Sequence, residues 1–203
     1  ALDWGIYGAP ESFLVDEMEK SIRYLVQHMP GHGDYLARYC PAPLAAPALS
    51  APTRVQVKLD CPGGQPSALY GDENRLTPVS IPETIRRQGV NPNQIKRGVP
   101  LTIEPYLNMA EDDAITLRWG DVRMDLAPVT AADIGLPIQV WVPPTIILEA
   151  GEDLRLEVTY CILDRVGNNS RWAPARNLKI GCATPYLKVA KKSPPMAAEP
   201  RRR

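Results

Sequence analysis

Gly151-Glu152-Asp153-Leu154-Arg155-Leu156-Glu157-Val158-Thr159-Tyr160-Cys161-Ile162-Leu163-Asp164, continued by Arg165-Val166-Gly167-Asn168-Asn169-Ser170, sets the architecture of this chain. Leu154, Leu156, Val158, Tyr160 and Ile162 alternate with Arg155, Glu157, Thr159 and Cys161. Side chains on a strand point to opposite faces with period two, so the spacing predicts one long strand with one buried face. Gly167 and Asn168 tolerate positive φ and turn the chain. Asn177-Leu178-Lys179-Ile180 then returns as a second strand.

Upstream, the same alternation recurs in shorter pieces. Thr53 to Leu59 is a strand, and Leu76 to Ile85 gives strand pieces broken by Pro78 and Pro82. Arg86 to Gly89 and Asn91 to Asn93 read as connections. Pro100 to Tyr106, Ile115 to Gly120, Val122 to Leu126, Ile138 to Val142 and Ile146 to Glu149 follow as strands. Trp119 shares a face with Ile115 and Leu117, and a ring of that size is suited to the centre of a core. Roughly seven or eight short strands over residues 53–182, with no long helical pattern between them, predict an antiparallel sandwich and exclude a parallel α/β sheet.

The N-terminal quarter differs. Phe13, Leu14, Met18, Ile22, Leu25, Val26 and Met29 recur at helical spacing, so residues 1–40 are expected to be a helical segment ended by Pro30-Gly31. Residues 41–52, rich in proline and alanine, read as an extended linker. Residues 183–203 form a basic, Pro-rich tail.

Composition narrows the function. The chain has 203 residues, with 23 basic and 23 acidic side chains. A net charge of zero argues against a nucleic-acid binder. No run of about 18 apolar residues exists, so no membrane span is expected. The 22 prolines, roughly twice the usual share, favour strands, turns and loops over helices. Four cysteines, Cys40, Cys61, Cys161 and Cys182, allow three pairings, and their spacing matches no zinc template. In a hairpin turning near Gly167, residue 161 faces roughly residue 174. That places Cys182 beyond the Cα limit of about 7 Å for a bond to Cys161. Free cysteines are the expectation.

Chemistry is sparse. The sequence has no G-x-S-x-G elbow, no P-loop and no G-x-G-x-x-G. Its two histidines, His28 and His32, flank Pro30-Gly31, so they need not share a helical face for a metal. Carboxylate pairs such as Asp112 with Asp113, and Glu152 with Asp153, fall in turns, where wet surroundings leave a carboxyl unsuited to acid–base work. The chain is expected to be no enzyme and to carry no metal or cofactor.

Val158-Thr159-Tyr160, Asp164, Gly167-Asn168 and Ser170 together resemble the V-T-Y-x-x-x-D-x-x-G-N-x-S ending of bacterial immunoglobulin-like repeats. Asn108-Met109-Ala110-Glu111-Asp112, followed by Ile115 to Gly120, resembles the M-A-x-G-D…L-x-W-x-G segment of the same repeats. In that alignment Asp112 keeps the acidic position and Glu111 replaces glycine. The resemblance covers about residues 53–182. It implies an immunoglobulin-like β-sandwich in an exported or cell-surface bacterial protein, serving as spacer or adhesion module beside similar repeats, with a cytoplasmic location left open. Gly167 and Asn168 then have structural roles, as do Trp119 and Tyr160, the latter hydrogen-bonding local backbone as a tyrosine corner. Two alternatives stand beside it. One is an interaction or delivery module of a toxin or secretion-associated protein, docking a partner through the N-terminal helix. The other is carbohydrate binding through Trp172, Trp141 and Arg171, with Trp172 expected to be the more exposed ring. The partner is therefore a protein or a glycan.

Overall fold

The computed structural model describes residues 2–3, 31–39, 50–65 and 75–181 of the 203-residue chain. In chain order come β1 (Leu2–Asp3), β2 (Gly33–Tyr39), β3 (Thr53–Val57), α1 (Glu83–Gln88), α2 (Pro92–Arg97) and β4 (Val99–Ile103). Then follow β5 (Ala114–Trp119), β6 (Val122–Asp125), β7 (Ile138–Val142), α3 (Pro144–Ala150), β8 (Asp153–Leu163) and β9 (Arg176–Ile180). The chain is mainly β, and the named strands pair antiparallel.

β8 is the axis. Among the described residues it lies inside a four-stranded sheet ordered β6-β5-β8-β9. Leu117 faces Tyr160 across the β5–β8 ladder, and Ile115 faces Ile162. A second sheet pairs β4 with β7. The inward residues of both sheets form one core that includes Leu101, Ile103, Val142, Leu117, Trp119, Val158 and Tyr160. Burying side chains of this size stabilises each by about 1.5–3 kcal/mol. The expected alternation of β8 fails at its start. Leu154 is 76% exposed, because the β8–β9 register shifts between Asp153 and Leu156 and the inward face begins only at Leu156.

Three stretches read as strands or connections are short helices. α2 has an Asn91 cap that accepts from the amides of Asn93 and Gln94, a reciprocal bond from the Asn91 amide to Gln94, and Pro92 at its first turn. Proline is pre-organised for that position. α3 likewise starts at Pro143-Pro144, although Ile146-Ile147-Leu148 looks like strand by composition. α1 follows Pro82. Each helix is six or seven residues long and buries one side chain, Ile85, Ile95 or Ile147. Periodicity cannot register over so few turns.

The N-terminal segment also departs from expectation. Gly33–Tyr39, assigned above to a helical segment, is strand β2, which pairs antiparallel with β3. The alternation that makes it a strand places Tyr35 inward, opposite Val55. The hairpin therefore joins residues on both sides of the expected linker. The helical stripe from Phe13 to Met29, most of the linker and the basic tail lie outside the described residues.

Candidate functional site

The polar residues of the β8 turn converge on Asp164. Its side chain is fully buried. Oδ1 accepts from the amides of Val166, at 3.1 Å, and Asn168, at 2.8 Å. Oδ2 accepts from Asn168 Nδ2 at 3.0 Å. Asn168 Nδ2 also donates to the carbonyl of Lys58, at 3.0 Å. Gly167, at φ 93°, closes the turn through its amide to the Asp164 carbonyl. Ser170 Oγ accepts from the Ile162 amide and donates to the Arg171 carbonyl. Burial works to raise the Asp164 carboxyl, but the Asn168 amide, Lys58 and the Asn168 side chain outweigh it and hold the group below its ordinary value.

Asp113 sits nearby at the entry to β5 with no exposed side-chain surface. Its Oδ2 accepts from the Tyr106 hydroxyl, at 2.8 Å, and the Ala110 amide, at 3.0 Å. Burial, then the Asp113 carboxylate, push the Tyr106 phenol far above its ordinary value, so it stays a proton donor. Lys58 joins the two acids: Nζ is 3.0 Å from Asp164 Oδ2 and 3.7 Å from Asp113 Oδ1, with the lysine side chain 17% exposed. The turn carboxylates expected to be wet include this buried one, because the loop folds Asp113 inward while Asp112 stays exposed. The buried acid of the Met109–Asp113 loop is thus Asp113. Asp112, at φ 66°, occupies the left-handed position that favours glycine. Both roles lie one residue later than the alignment above placed them.

Lys58 follows β3, so the triad fastens the N-terminal hairpin to the β5 and β8 ends of the large sheet. Asn108 Nδ2 to the Cys61 carbonyl, at 2.9 Å, and the Gly63 amide to the Leu107 carbonyl, at 2.8 Å, add to this seam. Only the alternation in Val55-Gln56-Val57-Lys58 hinted at Lys58, and it marked the lysine as an outward residue.

Trp119 is fully buried. The Tyr160 hydroxyl does not bond local backbone. It reaches the carbonyl of Thr77, 83 residues away, because the strap before α1 crosses the inner face of β8. Trp172 is half-buried on the outer side of the large sheet, with the Arg118 and Arg123 guanidinium carbons 5.1 and 5.7 Å from its ring centre. Arg171 is exposed beside it at φ 61°. The more exposed ring is Trp141, at 56%. The structure thus reverses the expected order, because two arginines cover Trp172 while nothing from the core covers the outer face of β7. Trp141 borders an open cavity of about 460 Å³ whose polar lining includes Thr130, Asp133 and Gln139.

His32 is surface-exposed and pairs with Asp60 at 3.2 Å, and His28 lies outside the described residues. Cys61 and Cys161 are free thiols, the latter raised above its ordinary value by burial. Cys40 and Cys182 lie outside the described residues. Among the described residues, no helix is long and apolar enough to cross a membrane. Compared with protein-family models, curated proteins and solved structures, the chain matches none.

Proposed function

We propose that this chain is a non-catalytic immunoglobulin-like module of an exported or cell-surface bacterial protein, acting as a spacer or as an adhesion domain. The observation that carries the reading is the use made of the turn motif. Asp164, Gly167, Asn168 and Ser170 all bond within the chain, so their pattern serves closure of the module. The shared core of the β4–β7 and β6-β5-β8-β9 sheets is what a two-sheet sandwich requires. Fold alone leaves the ligand open, since such modules serve many roles. The test is mechanical: the chain is pulled from its ends between marker domains of known unfolding force. A load-bearing spacer unfolds in one cooperative event that releases at least the β5–β9 length. Extension at low force without such an event contradicts the reading.

A second reading, carbohydrate binding, is favoured by Trp141, which presents an exposed ring beside Gln139 and the polar cavity. Sugars stack on such rings while polar neighbours fix their orientation. A glycan array with the wild type, Trp141→Ala and Trp172→Ala tests it. Loss of a signal with Trp141→Ala alone supports this reading, and an empty wild-type array removes it.

A further inference from the structure

The Lys58–Asp113–Asp164 triad holds its two acids differently. Asp164 is bound by the Val166 and Asn168 amides and the Asn168 side chain, an environment that favours the carboxylate. Asp113 has donors on one oxygen only. Oδ2 accepts from the Tyr106 hydroxyl and the Ala110 amide, while Oδ1 is buried without a hydrogen-bond partner and faces Lys58 Nζ at 3.7 Å. Lys58 Nζ is itself buried without an aligned hydrogen bond, although Asp164 Oδ2 lies 3.0 Å away. An amine thus abuts an acyl group whose one oxygen is gripped by two donors, and a carboxylate stands ready for the amine's proton. Proximity, a proton acceptor and donors on the developing oxyanion are the three ingredients of acyl transfer.

We propose that Lys58 and Asp113 condense into an intramolecular side-chain amide, with Asp164 carrying the proton. Asp164 takes a proton from the Lys58 ammonium, and the freed amine attacks Asp113 Cγ to form the new C–N bond. The Tyr106 hydroxyl and the Ala110 amide hold the oxyanion on Oδ2. The C–Oδ1 bond then breaks, and Oδ1 departs as water with protons supplied by Asp164 and the reacting nitrogen. One ammonium and one carboxylate become one amide and one water, with no oxidant or cofactor, and Asp164 returns as a carboxylate. The link ties the segment after β3 to the entry of β5. The inference stands apart from the function proposed above, since a covalent tie suits any exported module.

The test is the denatured intact mass of the full chain, followed by tandem mass spectrometry of its proteolytic peptides. The expected result is a mass one water below that of the sequence, with Lys58 and Asp113 in one branched peptide. Lys58→Arg and Asp113→Ala are expected to show the full sequence mass. Asp164→Asn is expected to keep its mass while retaining a β-type circular-dichroism spectrum. A wild-type chain at full mass after prolonged incubation overturns the proposal. So does a water loss that maps elsewhere, such as a succinimide. Cross-linking in folded Asp164→Asn overturns the role given to Asp164.

Discussion

The Tyr160 hydroxyl donates to the carbonyl oxygen of Thr77 at 2.9 Å, across 83 residues of chain. Burial pushes this phenol up to about 12, so it is a neutral donor at any physiological pH. The bond pins the strap before α1 to the central strand. Tyr160→Phe is therefore expected to destabilise by about 1–2 kcal/mol, the cost of leaving a buried carbonyl without its partner. Urea unfolding checks this, with the midpoint lowered and the slope unchanged.

Asp164 gives the chain an acid limb. Its folded carboxyl titrates below the ordinary aspartate value of about 3.9. The unfolded chain therefore binds more protons through this window, and stability rises with pH across it. The contribution is fully present above about pH 4, near the unfolded value, and is lost as pH falls through the lower folded value. Thermal unfolding between neutral pH and strong acid should show this limb. Asp164→Asn should lower stability at neutral pH and flatten the limb.

Backbone sign gives an opposed pair of substitutions. Asp112 sits at φ 66°, so Asp112→Gly is expected to stabilise by up to about 1 kcal/mol. Gly98 sits at φ 97°, where an added Cβ would meet the Trp141 ring and the Val142 carbonyl. Gly98→Ala is expected to cost about 1–3 kcal/mol. Melting temperatures that move in the same direction for both contradict the assignment.

The two outer tryptophans should separate in stability as they do in exposure. Trp141→Ala is expected to change stability by no more than about 0.5 kcal/mol. Trp172→Ala removes the ring under Arg118 and Arg123 and is expected to cost about 1 kcal/mol. Acrylamide quenching of the single-tryptophan variants should rank Trp141 first, then Trp172, then Trp119.

Period-two spacing made β8, β5 and β7 legible, because one face of each is buried and the other wet. It failed where tertiary contacts set the outcome. Leu154 belongs to the alternating letters but lies before the register shift that starts the buried face. Ile146-Ile147-Leu148 is strand-like by composition, yet the two prolines before it start a helix turn. Gly33–Tyr39 is strand because β3 lies beside it, and no local pattern announced that partner. The resemblance drew attention to Asp164, Gly167 and Asn168 but placed the other acid at Asp112. Only the loop's backbone shows that Asp112 takes the left-handed position and Asp113 turns inward. The third member, Lys58, lies more than fifty residues before either acid, beyond the reach of any local motif.

Native-state amide hydrogen exchange distinguishes a closed internal staple from an open ligand site at the β8 turn. The amides of Val166 and Asn168 donate to Asp164, and those of Ile162 and Ser170 bond each other's residue. All four are expected to exchange as slowly as the core amides of β5 and β8, through global unfolding alone. If the Val166, Asn168 and Ser170 amides exchange at the rate of an unprotected loop while the core stays protected, the turn is not holding the module closed.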